Sequence, residues 1–163
     1  MVWASLISGP TLALTVINAL TESGLKPQRL ELEVTESVLM QNNEATLATL
    51  HQLRDLGVRI AMDDFGTGYS SLSYLRSFPF NKIKIDRSFV ADERSDAAVI
   101  VHAVADMARN LNMTTTAEGI ETEQQREMVR QAGCTEMQGY LFSKPRPLEE
   151  LRPLFEPAAR KAG

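Results

Sequence analysis

Two adjacent carboxylates, Asp63 and Asp64, stand where an apolar run meets a glycine-rich segment, Ala61-Met-Asp-Asp-Phe-Gly-Thr-Gly-Tyr-Ser-Ser-Leu72. Like charges side by side stay ionised cheaply only when positive charge lies between or beside them, and a divalent cation supplies it. The same residues also suit an Asx-turn leaving a strand, with Asp64 accepting hydrogen bonds from loop amides. The segment alone supports both readings, so the elements that carry it must decide.

Alternation in Val58-Arg-Ile-Ala-Met-Asp63 predicts a strand, and Gly66 and Gly68 stop its simple continuation, which places Asp63 and Asp64 at the strand end. Further strands are predicted at Leu30–Val34, Lys82–Ile85, Met113–Ala117 and Glu136–Gln138. Helical patterns lie between and after them, at Glu44–Leu56, Leu72–Ser77, Asp96–Leu111, Glu123–Ala132 and Leu148–Phe155. Gly57 and Gly133 read as helix C′ residues. Repeated βα units imply an α/β fold with a parallel sheet.

The polar residues fall at the strand ends: Glu33-Val-Thr-Glu36, Asp63-Asp64, Lys84-Ile-Asp86, Glu118-Gly-Ile-Glu121 and Gln138-Gly-Tyr140. In a parallel sheet or barrel these ends share one face, so acids from Glu33 to Glu121 converge on one cleft. A merely solvated set of charges would sit on helices instead. The convergence favours the metal reading of the Asp63-Asp64 pair.

Composition narrows the function classes. The 163 residues are 44% hydrophobic and 23% charged, which suits a globular core, and the net charge of −4 argues against a broad footprint for DNA, RNA or anionic membrane. The single cysteine, Cys134, excludes an intrachain disulfide and a cysteine-based zinc site, and fits a cytoplasmic protein. The first 21 residues carry no charged side chain. However, Pro10, Thr11, Thr15 and Asn18 interrupt the run, and no basic region precedes it, so neither a signal peptide nor a membrane segment fits. Leu12, Val16, Ile17 and Leu20 share one face and predict an amphipathic helix after Pro10. His51 and His102 lie on helices without a partner ligand in sequence. The methionines at 107, 113, 128 and 137 read as core filling.

The blocks LELEVTES, AMDDFGTGYSSLSYLRSFPFNKIKIDRSFV, AEGIETEQQ and MQGYLFSKP, in that order, give the chain its resemblance to the EAL family of cyclic di-GMP phosphodiesterases, from about Thr11 to Leu151. The resemblance implies a TIM-like (β/α) barrel and metal-dependent hydrolysis of cyclic di-GMP to linear pGpG. It implies Mg²⁺ or Mn²⁺, two ions in an intact domain, with inhibition by Ca²⁺. By the same resemblance Glu33, Asp63, Asp64 and Glu118 are metal ligands, with Asp63 bridging two ions. Lys84 is the lysine that contacts the attacking water and phosphate, Glu121 and Gln138 take catalytic water-binding positions, and Glu36 anchors the loop after Asp64. Glu118 has a competing role as general base. Hard carboxylate oxygens suit such cations, which lower the pKa of bound water and offset charge growing on a phosphate.

The chain also departs from the family. It contains no Glu-Ala-Leu triplet, and an asparagine ligand in a Val-Asn-x-Ser context would fall at or next to Met1, where the sequence reads Met-Val-Trp-Ala-Ser. A full eight-stranded barrel typically needs about 250 residues. The expectation is therefore an incomplete EAL barrel lacking N-terminal strands, with residues 1–10 a remnant or rewritten segment, 11–155 a partial domain and 156–163 a tail. Exposed sheet edges predict homodimer formation or dependence on a missing N-terminal segment, and little hydrolysis by the chain alone. The alternative is a degenerate module that binds cyclic di-GMP or a protein partner without catalysis.

Overall fold

The computed structural model describes residues 10–35, 43–66, 72–91 and 95–155. In chain order the elements are α1 (Pro10–Ser23), a 3₁₀ turn (Pro27–Arg29), β1 (Glu31–Thr35), α2 (Asn43–Asp55), β2 (Arg59–Phe65), α3 (Leu72–Ser77) and β3 (Lys82–Ile85). There follow α4 (Arg87–Ala91), α5 (Ser95–Asn110), β4 (Thr114–Ala117), α6 (Glu123–Gln131), β5 (Glu136–Met137) and α7 (Leu148–Phe155). All five expected strands form, and the expected helices form within a residue or two of their limits. The short α4 is an addition. Among the described residues no helix is long and apolar enough to cross a membrane.

The strands make one parallel sheet in the order β1-β2-β3-β4-β5. A sequential order without a reversal point puts right-handed crossover helices on one face only, which is how a barrel wall is built. The sheet is curled: Lys82 Nζ meets Glu31 of β1 at 2.8 Å and Glu136 of β5 at 2.7 Å. A flat sheet would hold those edge strands about 19 Å apart, too far for both acids to share one ammonium.

The period-2 alternation of each strand sorts its side chains between the two faces. Leu32, Val34, Ile60, Met62, Ile83 and Ala117 share the face that the helices cover. The opposite, concave face carries Glu31, Glu33, Arg59, Asp63, Lys82, Lys84, Thr116 and Glu136, in register across the strands. The apolar side forms two clusters. One joins Leu12 and Val16 of α1, Leu50 and Leu53 of α2, and the first three strands. The other joins Ile85, Val90, Val101, Ala117, Ile120 and Val129. Full burial of a large aliphatic side chain stabilises by about 1.5–3 kcal/mol, so these clusters hold the wall together while the concave face stays polar. Of the methionines read as core filling, Met107 and Met113 pack on the first cluster and Met128 and Met137 on the second.

Candidate functional site

β2 does not end at the aspartate pair as its glycine-rich sequel suggested. It runs to Phe65, and its register against β3 slips: Met62 pairs with Ile83 but Phe65 pairs with Ile85, so Asp63 and Asp64 together oppose Lys84. This is a β-bulge, in which two residues of one strand face one of its neighbour. Adjacent strand residues ordinarily point to opposite faces. Here the extra residue, with Asp64 in left-handed backbone at φ 54°, lets both aspartates serve the Lys84 end of the sheet.

Lys84 is the hub. Its ammonium lies 2.8 Å from carboxylate oxygens of Glu33, Asp63 and Glu118, drawn from β1, β2 and the residue just beyond β4. Burial works against its charge, but hydrogen bonds to Asp63, Glu118 and Glu33 outweigh it and hold the ammonium well above the usual lysine range. Lys84 is therefore a fixed cation. The Asp64 carboxyl is pushed above the ordinary aspartate value, first by burial and then by the charges of Asp63 and Asp86. Among the described residues, one ammonium thus faces the carboxylates of Glu33, Asp63 and Glu118, so acids outnumber cations around it.

That excess, on hard oxygen donors, fits the chemistry of a divalent cation such as Mg²⁺ or Mn²⁺. Among the described residues no three histidine, cysteine, aspartate or glutamate side chains are arranged as a metal cage. The three carboxylates gather on Nζ of Lys84 instead.

A cleft of about 320 Å³ opens beside the hub, lined by Asp86, Arg87, Glu118, Glu121, Gln138 and Tyr140 among others. Its walls are two loops stitched together. Gln138 N–H donates to Ala117 O at 2.9 Å, Ile120 N–H to Gln138 O at 3.1 Å and Leu141 N–H to Ile120 O at 2.9 Å. Gly139 permits this approach, since a Cβ there would stand 2.1 Å from Ile120 O. Thr122 caps α6 in a reciprocal box with Gln125, whose Oε1 also accepts from the Glu121 amide at 2.8 Å and so fixes the backbone of Glu121.

Of the residues singled out from sequence, Glu33, Asp63, Asp64, Lys84 and Glu118 come together at the hub, and Glu118, Glu121 and Gln138 line the cleft. Glu36 and Gly68 lie outside the described residues. Asp86 was noted only as a strand-end acid. It caps α4, accepting from the Ser88 amide at 2.9 Å, and this contact and the Arg87 charge hold its carboxyl below the ordinary range despite its burial. Arg87 was not singled out, although Asp-Arg-Ser-Phe after a strand is a legible capping signal. A second lysine, Lys82, was also passed over: it sits two residues before Lys84 on the same face and binds Glu31 and Glu136, with Arg59 3.4 Å from Glu31 and Thr116 3.1 Å from Glu136.

Fold and site together define a protein of the parallel α/β barrel class, with an acid-rich centre and a cleft at the carboxyl ends of its strands. The chain belongs to the EAL domain family, whose profile matches residues 4–145. It is 48% identical over 139 residues to the bifunctional diguanylate cyclase/cyclic di-GMP phosphodiesterase MucR of Pseudomonas aeruginosa, covering 84% of this chain and 20% of that protein. The EAL domain of Mycobacterium smegmatis DcpA superposes with a TM-score of 0.88 at 40% identity, over 94% of this chain and 70% of that one. Klebsiella pneumoniae BlrP1, in a manganese/cyclic di-GMP complex, superposes with a TM-score of 0.80 at 35% identity, over 86% of this chain and 36% of that one. The chain spans 18–20% of the length of the curated relatives it matches first. The five-stranded wall is accordingly part of a TIM-like barrel of EAL type.

Proposed function

We propose that this chain carries the catalytic half-site of a cyclic di-GMP phosphodiesterase, opening the cyclic dinucleotide to linear pGpG in bacterial second-messenger signalling. The observation that carries the reading is the single Lys84 ammonium held among Glu33, Asp63 and Glu118, with Asp64 beside it, at the mouth of a polar cleft. Glu33, Asp63, Asp64 and Glu118 would hold Mg²⁺ or Mn²⁺. When bound, such ions acidify water and offset charge on the phosphate. Lys84 holds a permanent positive charge against the phosphate and has no free pair with which to act as base. Glu118 orients from the β4 end, and Glu121 and Gln138 place polar groups across the cleft, where they order water. The relatives named as cyclic di-GMP phosphodiesterases support the substrate class.

The second reading is that the same polar cleft binds the nucleotide without efficient turnover, as a cytoplasmic receptor module, alone or as a homodimer. The test supplies purified chain with Mn²⁺ and cyclic di-GMP and follows pGpG by chromatography, alongside calorimetric titration of cyclic di-GMP in Ca²⁺. Binding with turnover is expected; binding without turnover would favour the receptor module, and absence of both binding and turnover would overturn the site assignment.

A further inference from the structure

α4 is a helix of five residues, yet it abuts both turns that follow the acids. At its third residue, Phe89 lies against the turn that follows Asp63 and Asp64: a Cβ on Gly66, whose φ is 95°, would stand 2.8 Å from Cε2 and Cζ of the ring. At its first residue, Arg87 lies against the turn that follows Glu118: a Cβ on Gly119, whose φ is 70°, would stand 2.4 Å from Arg87 Cβ and 3.3 Å from its Cα. In both places the missing side chain is what permits the approach. The helix itself is held from below. Val90 is buried, the ring of Phe89 packs on the second apolar cluster, the Phe89 amide donates to Asp86 O at 3.1 Å, and Asp86 caps the first turn. The ring is therefore not a loose side-chain end that can swing away from Gly66.

We propose that α4 is a spacer coupling the two turns that follow the acids, with Phe89 seating the Gly66 turn and the Arg87 stem seating the Gly119 turn, so that one rigid helix sets the separation of Asp63 and Asp64 from Glu118. Phe89 is a positioning residue, acting on the acids through the backbone of Gly66. Its consequence for Mn²⁺ affinity rests on the metal reading above; its consequence for the loops does not.

The test is hydrogen exchange of the metal-free full chain, read by mass spectrometry, for Phe89→Leu and Phe89→Tyr. Leucine keeps apolar volume against the second cluster but lacks the ring atoms that meet Gly66, whereas tyrosine retains them. Phe89→Leu is expected to raise exchange about tenfold in both the 62–66 and the 117–121 segments, as local opening does, while β1 at 31–35 is unchanged. Phe89→Tyr is expected to match the parent. In Mn²⁺ titrations Phe89→Leu should weaken binding by about tenfold, the usual scale for loss of a group supporting the ligands. Gly66→Ala should weaken it too, and adding Phe89→Leu to Gly66→Ala should restore part of the loss, because removing the ring makes room for the new methyl. A rise confined to one loop, a rise shared with β1, or no rise overturns the spacer. If the parent chain binds no Mn²⁺, the metal reading falls and the exchange experiment still decides the spacer.

Discussion

The concave face of the sheet holds two lysine-centred tiers, one turn of the β3 pleat apart, and they differ in charge balance. Lys82 and Arg59 face Glu31 and Glu136, so the lower tier is neutral within itself, with Thr116 completing its hydrogen bonds. Among the described residues Lys84 is the one cation that faces Glu33, Asp63 and Glu118. A self-neutral tier needs nothing more and ties β1, β3 and β5 into the curl. An anionic tier is costly unless a cation joins it, and it lies at the strand ends where loops give access. The same residue type thus ties strands together in one place and, in the proposed reading, faces the phosphate two residues later.

The widest separation of the tiers is expected from paired substitutions in a protein containing the intact domain. Lys84→Met should cut hydrolysis of cyclic di-GMP by about 10³-fold, the scale of losing one fixed charge aimed at developing negative charge. It should also enlarge the rise in melting temperature on adding Mn²⁺, since the competing ammonium is gone; calorimetry checks this, and an unchanged Mn²⁺ increment would erase the distinction. Lys82→Met should instead cost stability, roughly 1–2 kcal/mol, less than the 3–5 typical of a fully buried pair because Glu136 is half exposed. Urea unfolding measures it, and Mn²⁺ affinity should stay at the parent value.

The smallest expected effect is in pH dependence. The hydrogen bond from Lys82, aided by Thr116, holds the Glu136 carboxyl below its ordinary 4.5, so its contribution to stability is complete above 4.5 and fades as pH falls through the lowered value. The Lys82 ammonium is buried, which opposes its charge, but Glu136 and Glu31 raise it above 10.5; its contribution is present below 10.5 and is lost as pH rises beyond. Lys82→Met should flatten the acid-side loss of stability, measured by urea unfolding at pH 7 and pH 3.5. An acid slope identical to the parent's would mean that Glu136 owes its ionisation to something other than Lys82.

Much of the fold was legible because its signals are local. Alternation marked β2, and Gly57 and Gly133 marked helix ends, their amides reaching back to Arg54 O and Arg130 O. α4 escaped because five residues show no helical period, although Asp86 advertised its cap. The bulge escaped because an aspartate pair before glycines reads like a strand end; only the pairing partner reveals that Met62 and Phe65 are out of step. At the site, Glu33, Asp63, Asp64, Lys84 and Glu118 were named from their strand-end positions. Lys82 was not, because nothing near it in sequence signals its partners, 51 and 54 residues away.

Outside the bulge, the sequence by itself determined which residues share a face, since side-chain direction along a regular strand depends only on a period of two. Tertiary structure alone decided which charges meet. The curl of the sheet brings Glu31 and Glu136 from opposite edges onto Lys82 and neutralises it, while the bulge sets Asp63 and Asp64 together opposite Lys84, where among the described residues acids outnumber it. Charge balance depends on distance through space, and neither curl nor register is written in any one segment of the chain.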